Sequence, residues 1–225
     1  TLPDRALARC FHAVWPLAVL ALLFPVPAEA QEDEFDPPLI TAAERLDFDR
    51  NIFRQQYSPA LQKGSPTPAE AEVLRQGARY HLYGLTLEEI RDNLPEETDD
   101  LINDIEAGNT TENARRIVCQ EIVDRAAELL PGDGRLGQPH IVRLNLAIML
   151  RRLNVRKSEL QAPAVPFEPA RTAMLLILND TGNTGVDARI WAAEGLGRIC
   201  ELSVPGVADG DLLIGPRSEI GVALV

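Results

Sequence analysis

Arg125-Ala-Ala-Glu-Leu-Leu130 and Arg171-Thr-Ala-Met-Leu-Leu176 stand 46 residues apart, and the same offset holds well beyond them. Sliding the chain against itself by 46 residues aligns 125–153 with 171–199 without a gap. Eight of the 29 pairs are identical: Arg125/Arg171, Ala127/Ala173, Leu129/Leu175, Leu130/Leu176, Arg143/Arg189, Ala147/Ala193, Leu150/Leu196 and Arg152/Arg198. Roughly two are expected by chance at ordinary composition. Apolar character is also kept at Val142/Ala188, Leu144/Ile190, Leu146/Ala192 and Leu153/Ile199.

Within each copy the apolar residues recur at helical spacing. Val118, Ile122, Ala126 and Leu129 share one face of a helix expected from about 112 to 130, and Pro131-Gly-Asp-Gly134 breaks it. The next helix, about 138–153, is apolar nearly all round and needs cover on more than one side. In the second copy a proline-marked connection (Pro163, Pro166, Pro169) leads to a helix ending near Leu178. Asp180-Thr-Gly-Asn-Thr-Gly185 then turns the chain into a last helix, 186–202. Both copies read helix, turn, helix, and a two-helix unit of about 40–47 residues is the period of the HEAT and armadillo class.

The residues themselves resemble the HEAT-like repeat family over 111–202. Pro139-His-Ile-Val142-Arg143-Leu-Asn-Leu-Ala147-Ile-Met-Leu150 is similar to its second helix, and Asp187-Ala188-Arg189-Ile-Trp-Ala192-Ala193-Glu-Gly-Leu196-Gly197 more so. The first copy departs in having Ile141 where an Asp is usual and Arg151 in place of Gly. The resemblance implies an all-α fold, a HEAT-like right-handed α-solenoid of stacked helix pairs.

Helix starts upstream are marked by capping boxes, in which a threonine and a glutamate three residues on satisfy each other's orphan backbone donors. Thr41-Ala-Ala-Glu44 is one, and Thr67-Pro68-Ala69-Glu70 adds proline at the first helical position and opens a helix to about Tyr83. Thr86-Leu-Glu-Glu89 predicts a short helix ending near Leu94-Pro95, and Leu101, Ile102 and Ile105 mark another before Gly108. The acidic run Glu96-Glu97-Thr98-Asp99-Asp100 suits a helix start, where the helix dipole favours negative charge. No stretch alternates with period two, so no strand is predicted.

The organisation that follows has five parts. Residues 1–30 read as an export signal: Arg5 and Arg9, an apolar run from Pro16 to Val26, and Ala28-Glu29-Ala30 as a small-residue cleavage pattern. An acidic leader occupies 31–40, and irregular helices that form a cap or degenerate repeats fill 41–110. Two repeats span 111–202, and 203–225 starts a further unit that the apolar Ile220-Gly-Val-Ala-Leu-Val225 cuts short. A chain that opens on Thr1 also reads as a fragment.

Charge narrows the function classes. The chain carries 22 basic and 34 acidic side chains, a net −12 that loss of the signal leaves unchanged. Nucleic-acid binding, which needs a basic face, is disfavoured, and so is docking on anionic lipid. No stable membrane insertion is expected once the signal is cleaved, because the apolar run is short for a span.

Motifs that carry chemistry are scarce. Beyond the signal there are two histidines, His81 and His140, and two cysteines, Cys119 and Cys200. None has metal-ligand spacing, and no nucleophile elbow, phosphate loop or dinucleotide fingerprint occurs. No catalytic residue, metal or cofactor is therefore assigned. Asn109-Thr-Thr111 and Asn179-Asp-Thr181 fit the glycosylation pattern.

The residues singled out are the repeated arginines Arg143, Arg189 and Arg198, together with Trp191. Equivalent arginines on successive second helices form either a solvated, ion-paired stripe or a ladder of guanidinium groups gripping an acidic partner. Trp191 is either core or a binding anchor. The expectation is an exported, non-catalytic binding or scaffolding module with a protein partner. The alternative is the repeat portion of a larger exported enzyme or electron-transfer protein whose catalytic domain lies outside this chain.

Overall fold

The capping boxes at Thr41 and Thr67 form as the sequence predicts. The computed structural model describes residues 38–130, 138–160 and 163–202, apart from the Leu202 side chain. The export signal, the leader up to residue 37, the turn at 131–134 and the segment 203–225 lie outside the described residues. Thr41 caps α1, Ala42–Asp47, which runs on through a π-helical stretch, Phe48–Tyr57, into α2, Ser58–Leu61. Thr67 caps α3, Pro68–Gly84, with both reciprocal hydrogen bonds of the box in place.

Thr86 departs from expectation. Its hydroxyl donates to Tyr83 O at 2.7 Å and accepts from Leu39 N–H at 3.0 Å, so it caps no helix. Glu88–Asn93 is a 3₁₀ turn without a side-chain cap. Leu94-Pro95, expected to end a helix, begins α4, Leu94–Glu106. Proline is as well placed in a first helical turn as beyond a last one, because the first-turn amide has no partner to lose. Leu101, Ile102 and Ile105 are buried on this helix, and Glu96 and Glu97 fill its first turn.

Thr111 accepts from Ala114 N–H and opens α5, Glu112–Ala126, which tightens into a 3₁₀ turn at Ala127–Leu129. Then come α6, His140–Arg152, α7, Ala170–Asn179, and α8, Val186–Leu202. Between α6 and α7 lies a two-stranded antiparallel hairpin that the sequence did not predict. Strand β1 is Asn154–Arg156 and β2 is Val165–Pro166. Two strands this short leave no alternating pattern to read.

The helices pair in a regular order. Helices α7 and α8 run antiparallel, with Arg189 meeting Leu178 and Gly195 meeting Met174, whereas His81 in the last turn of α3 meets Asp104 in the last turn of α4. Between pairs the partners run parallel. Near the start of α5, Asn113 Nδ2 donates to Gly64 O in the loop before α3, and toward its end Glu121 meets Arg79. Helices α6 and α8 touch through His140 and Asp187 at their starts and Arg151 and Glu194 toward their ends. Helix α4 packs on α6, joined by Asp99 and Arg152.

One core runs through all of it, from Phe48, Tyr57 and Leu74 to Leu146, Met149, Ala192 and Leu196. Close packing requires glycine at two places in this core. A Cβ on Gly77 would lie 2.1 Å from the Tyr57 ring, and one on Gly195 would lie 2.4 Å from Met174 Sδ and 3.3 Å from Arg151 Cα. No described helix is long and apolar enough to cross a membrane.

Candidate functional site

Counting from each helix start shows what the repeated arginines do. Arg143 and Arg189 are both the fourth residue of their helices, α6 and α8. Arg143 is only 6% exposed, and its Nη1 donates to Gln138 O at 2.7 Å. Arg189 Nε donates to Leu178 O, in the last turn of α7, at 3.0 Å. Each guanidinium reaches back and satisfies a carbonyl of the preceding connection or helix end, where orphan acceptors collect.

Arg115, the fourth residue of α5, does the same more fully. Buried to 3% exposure, it donates from Nε to Ile105 O at 2.6 Å, from Nη1 to Val155 O at 3.2 Å and from Nη2 to Thr110 O at 3.4 Å. The pairwise alignment could not reveal it, since that alignment begins at Arg125. Its place relative to the Thr111 cap was the available signal.

Arg198 also faces inward. It donates to Arg151 O, in the last turn of α6, and at 3.0 Å to Asn154 Oδ1. Burial, then the neighbouring Arg151 charge, hold its guanidinium below the usual value. Its repeat equivalent, Arg152, is joined to Asp99 of α4. Arg143, Arg189 and Arg198 thus each give a donor to a backbone carbonyl of a neighbouring element.

Trp191 is neither fully core nor fully exposed. It packs partly on the core, with the Arg151 guanidinium over its face at 4.7 Å from the ring centroid. Arg151 in turn pairs with Glu194 at 2.5 Å. Val186 and Ile190 stand beside it at i, i+4 spacing, 68% and 59% exposed. On α6, Ile141, Leu144 and Ile148 are half-buried at the i+3 and i+4 spacing that leads to Arg151. Apolar residues thus lead up to the Arg151–Trp191 stack on both helices, half-buried on α6 and exposed on α8, and together they make the α6–α8 strip. The sequence analysis missed Val186, Ile190 and Arg151; apolar residues at the start of an amphipathic helix carry no mark of exposure by themselves.

The first helices present a different surface. Glu121 on α5 is 6% exposed and accepts from Arg79 Nε at 2.6 Å and from Arg125 Nε at 3.0 Å. Burial would raise its carboxyl, but the two arginines outweigh that and hold it below its ordinary value. Glu72 and Glu128 complete the lattice, and Tyr83 donates to Glu128 at 2.5 Å. Burial and that carboxylate push the Tyr83 phenol up to about 12. On the other side of α5 a groove of about 430 Å³ opens against α7.

Both histidines of the described residues are paired with carboxylates. His81 is 3% exposed, with Nε2 3.2 Å from Asp104 Oδ2, and packs edge-on against Tyr80. His140 pairs with Asp187 at 3.0 Å. Cys119 is buried and free, its thiol pushed up to about 12 chiefly by burial, so it is a poor nucleophile. No disulfide joins it to Cys200, which is half-buried. Among the described residues no cluster of three or more His, Cys, Asp or Glu is arranged to hold a metal ion. No known protein family, curated protein or solved structure matches this chain.

Proposed function

We propose that the chain is an exported, non-catalytic protein-binding module, built as a right-handed HEAT-like solenoid and docking its partner on the apolar strip of α6 and α8. The observation that carries this reading is the exposure of Val186 and Ile190 beside the Arg151–Trp191 stack. Apolar strips of this kind mark interaction sites, and tryptophan and arginine are the residues that most often anchor them. A stacked architecture is supported by the parallel runs of α3 with α5 and of α6 with α8. It is supported too by Arg79, which lies 46 residues before Arg125 and grips the same carboxylate, as equivalent positions of neighbouring repeats would.

In this reading Arg143, Arg189 and Arg198 hold the stack, and the partner is met by Trp191, Ile190, Val186 and Arg151. No cofactor is required. Export rests on the basic, apolar, small-residue order of 1–30, and the net charge of −12 favours a protein partner over nucleic acid.

The test is affinity capture from the exported fraction with the wild type, V186E/I190E and R189A. The proposal expects a discrete protein that V186E/I190E loses and R189A keeps, with helical content unchanged in both. Capture that survives V186E/I190E would move the site elsewhere.

A further inference from the structure

We propose that the groove between α5 and α7 is a second docking site, one that takes an extended peptide carrying an apolar side chain beside a lysine or arginine. The opening follows from how the helices pack. Helices α6 and α8 pack closely along their lengths, as do α3 and α5, whereas α5 and α7 touch only sparsely, so the helices part between α5 and α7. The volume, about 430 Å³, is at the small end for ligand sites and suits one or two peptide side chains.

The lining states the chemistry. Val123 and Ala127 of α5 face Pro169, Ala173 and Leu176 across the groove, and Leu176 is 51% exposed, a large apolar side chain left at the mouth. Asp124 stands at the rim with its Oδ1 accepting from Gln120 Nε2 at 2.7 Å, and it forms no ion pair among the described residues. On the opposite wall Glu168 is neutralised by Arg171 at 3.1 Å. The uncompensated charge of the groove is therefore negative. The whole chain, at −12, adds a field that draws a cationic partner in. An acidic peptide lacks the complementary charge, and a purely polar one lacks the apolar side chain.

This site is independent of the α6–α8 strip, and the experiment keeps them apart. The probe is a fluorescein-labelled (Leu-Lys)₄ octapeptide, titrated with the full chain by anisotropy at low and high salt, with (Leu-Glu)₄ and (Ser-Lys)₄ as comparisons. The expected order has (Leu-Lys)₄ binding at least about tenfold more tightly than either comparison, since each lacks one of the two features. D124N weakens (Leu-Lys)₄ about three- to fivefold and flattens its salt dependence. L176D, and separately T172W, which fills the mouth from an exposed position, remove binding; V186E/I190E leaves it unchanged. Equal binding of (Ser-Lys)₄, or (Leu-Lys)₄ affinity indifferent to L176D and T172W in chains that melt like the wild type, overturns the proposal and leaves only adsorption of a cation to an acidic protein.

Discussion

The two flanks of α5 make opposite use of similar residues. Against α3 the helix is tied by a lattice in which one buried carboxylate, Glu121, holds Arg79 and Arg125, beside a groove of about 500 Å³ that Arg75, Asn113 and Ile117 help to line. Against α7 it offers Gln120, Asp124 and Val123 to an open groove. Both flanks carry charge, but only the first buries it with a partner. A buried ion pair fixes geometry and is costly to break from one side, whereas a rim charge is worth little to the fold and remains available to a ligand. One flank ties α5 to α3, and the other leaves a rim carboxylate with no ion pair among the described residues.

The sharpest way to break this comparison is to remove Glu121. Glu121→Ala leaves Arg79 and Arg125 side by side without their acceptor. The expected loss is about 2–3 kcal/mol, less than for a fully buried pair because the arginines are part-exposed. Asp124→Ala on the open flank should stay within about 0.5 kcal/mol. Urea titration of the two variants reads the contrast, and equal losses would erase it.

Next in size is the turn clamp. Arg143→Ala frees the Gln138 carbonyl in a buried place and should cost about 2 kcal/mol, a charge-assisted hydrogen bond plus an unsatisfied acceptor. Were Arg143 an exposed docking residue, its loss would leave the urea midpoint where it was.

Acid should weaken the Glu121 flank. The Glu121 carboxyl lies below its ordinary value of 4.5 in the folded chain. Its stabilisation is therefore complete above that value and drains away as the pH falls through the folded one. The acid limb of thermal stability should flatten in Glu121→Gln and keep its slope in Asp124→Asn. The smallest effect is at the strip itself: Arg151→Ala removes the cation over Trp191 and should cost about 0.5–1 kcal/mol. A red shift of Trp191 emission would accompany it as water reaches the ring.

How much of this was legible depended on whether the cause was local. Thr41, Thr67 and Thr111 cap their helices with groups three residues away, so their roles stand in the sequence. The 46-residue offset also separates Arg79 from Arg125, and these two meet on one carboxylate. Thr86 carries the same local signature but is claimed by Tyr83 O and Leu39 N–H, the latter 47 residues away. Arg143 illustrates the wider limit. An arginine at a repeated position reads equally as a solvated stripe or a buried clamp, and only the course of the preceding connection decides between them. The strip on α8 was hidden for the same reason, since Val186 and Ile190 are exposed or covered according to what packs beside them.

The central claim is that a partner protein lies on the α6–α8 strip, and photo-crosslinking tests it most directly. Benzoylphenylalanine placed at position 190, or at exposed position 76 on α3 as a control, is irradiated in the exported fraction. The account predicts one discrete protein adduct from position 190 and none from position 76. Adducts that are equal at the two positions, or absent at 190 while the chain remains folded, would contradict it.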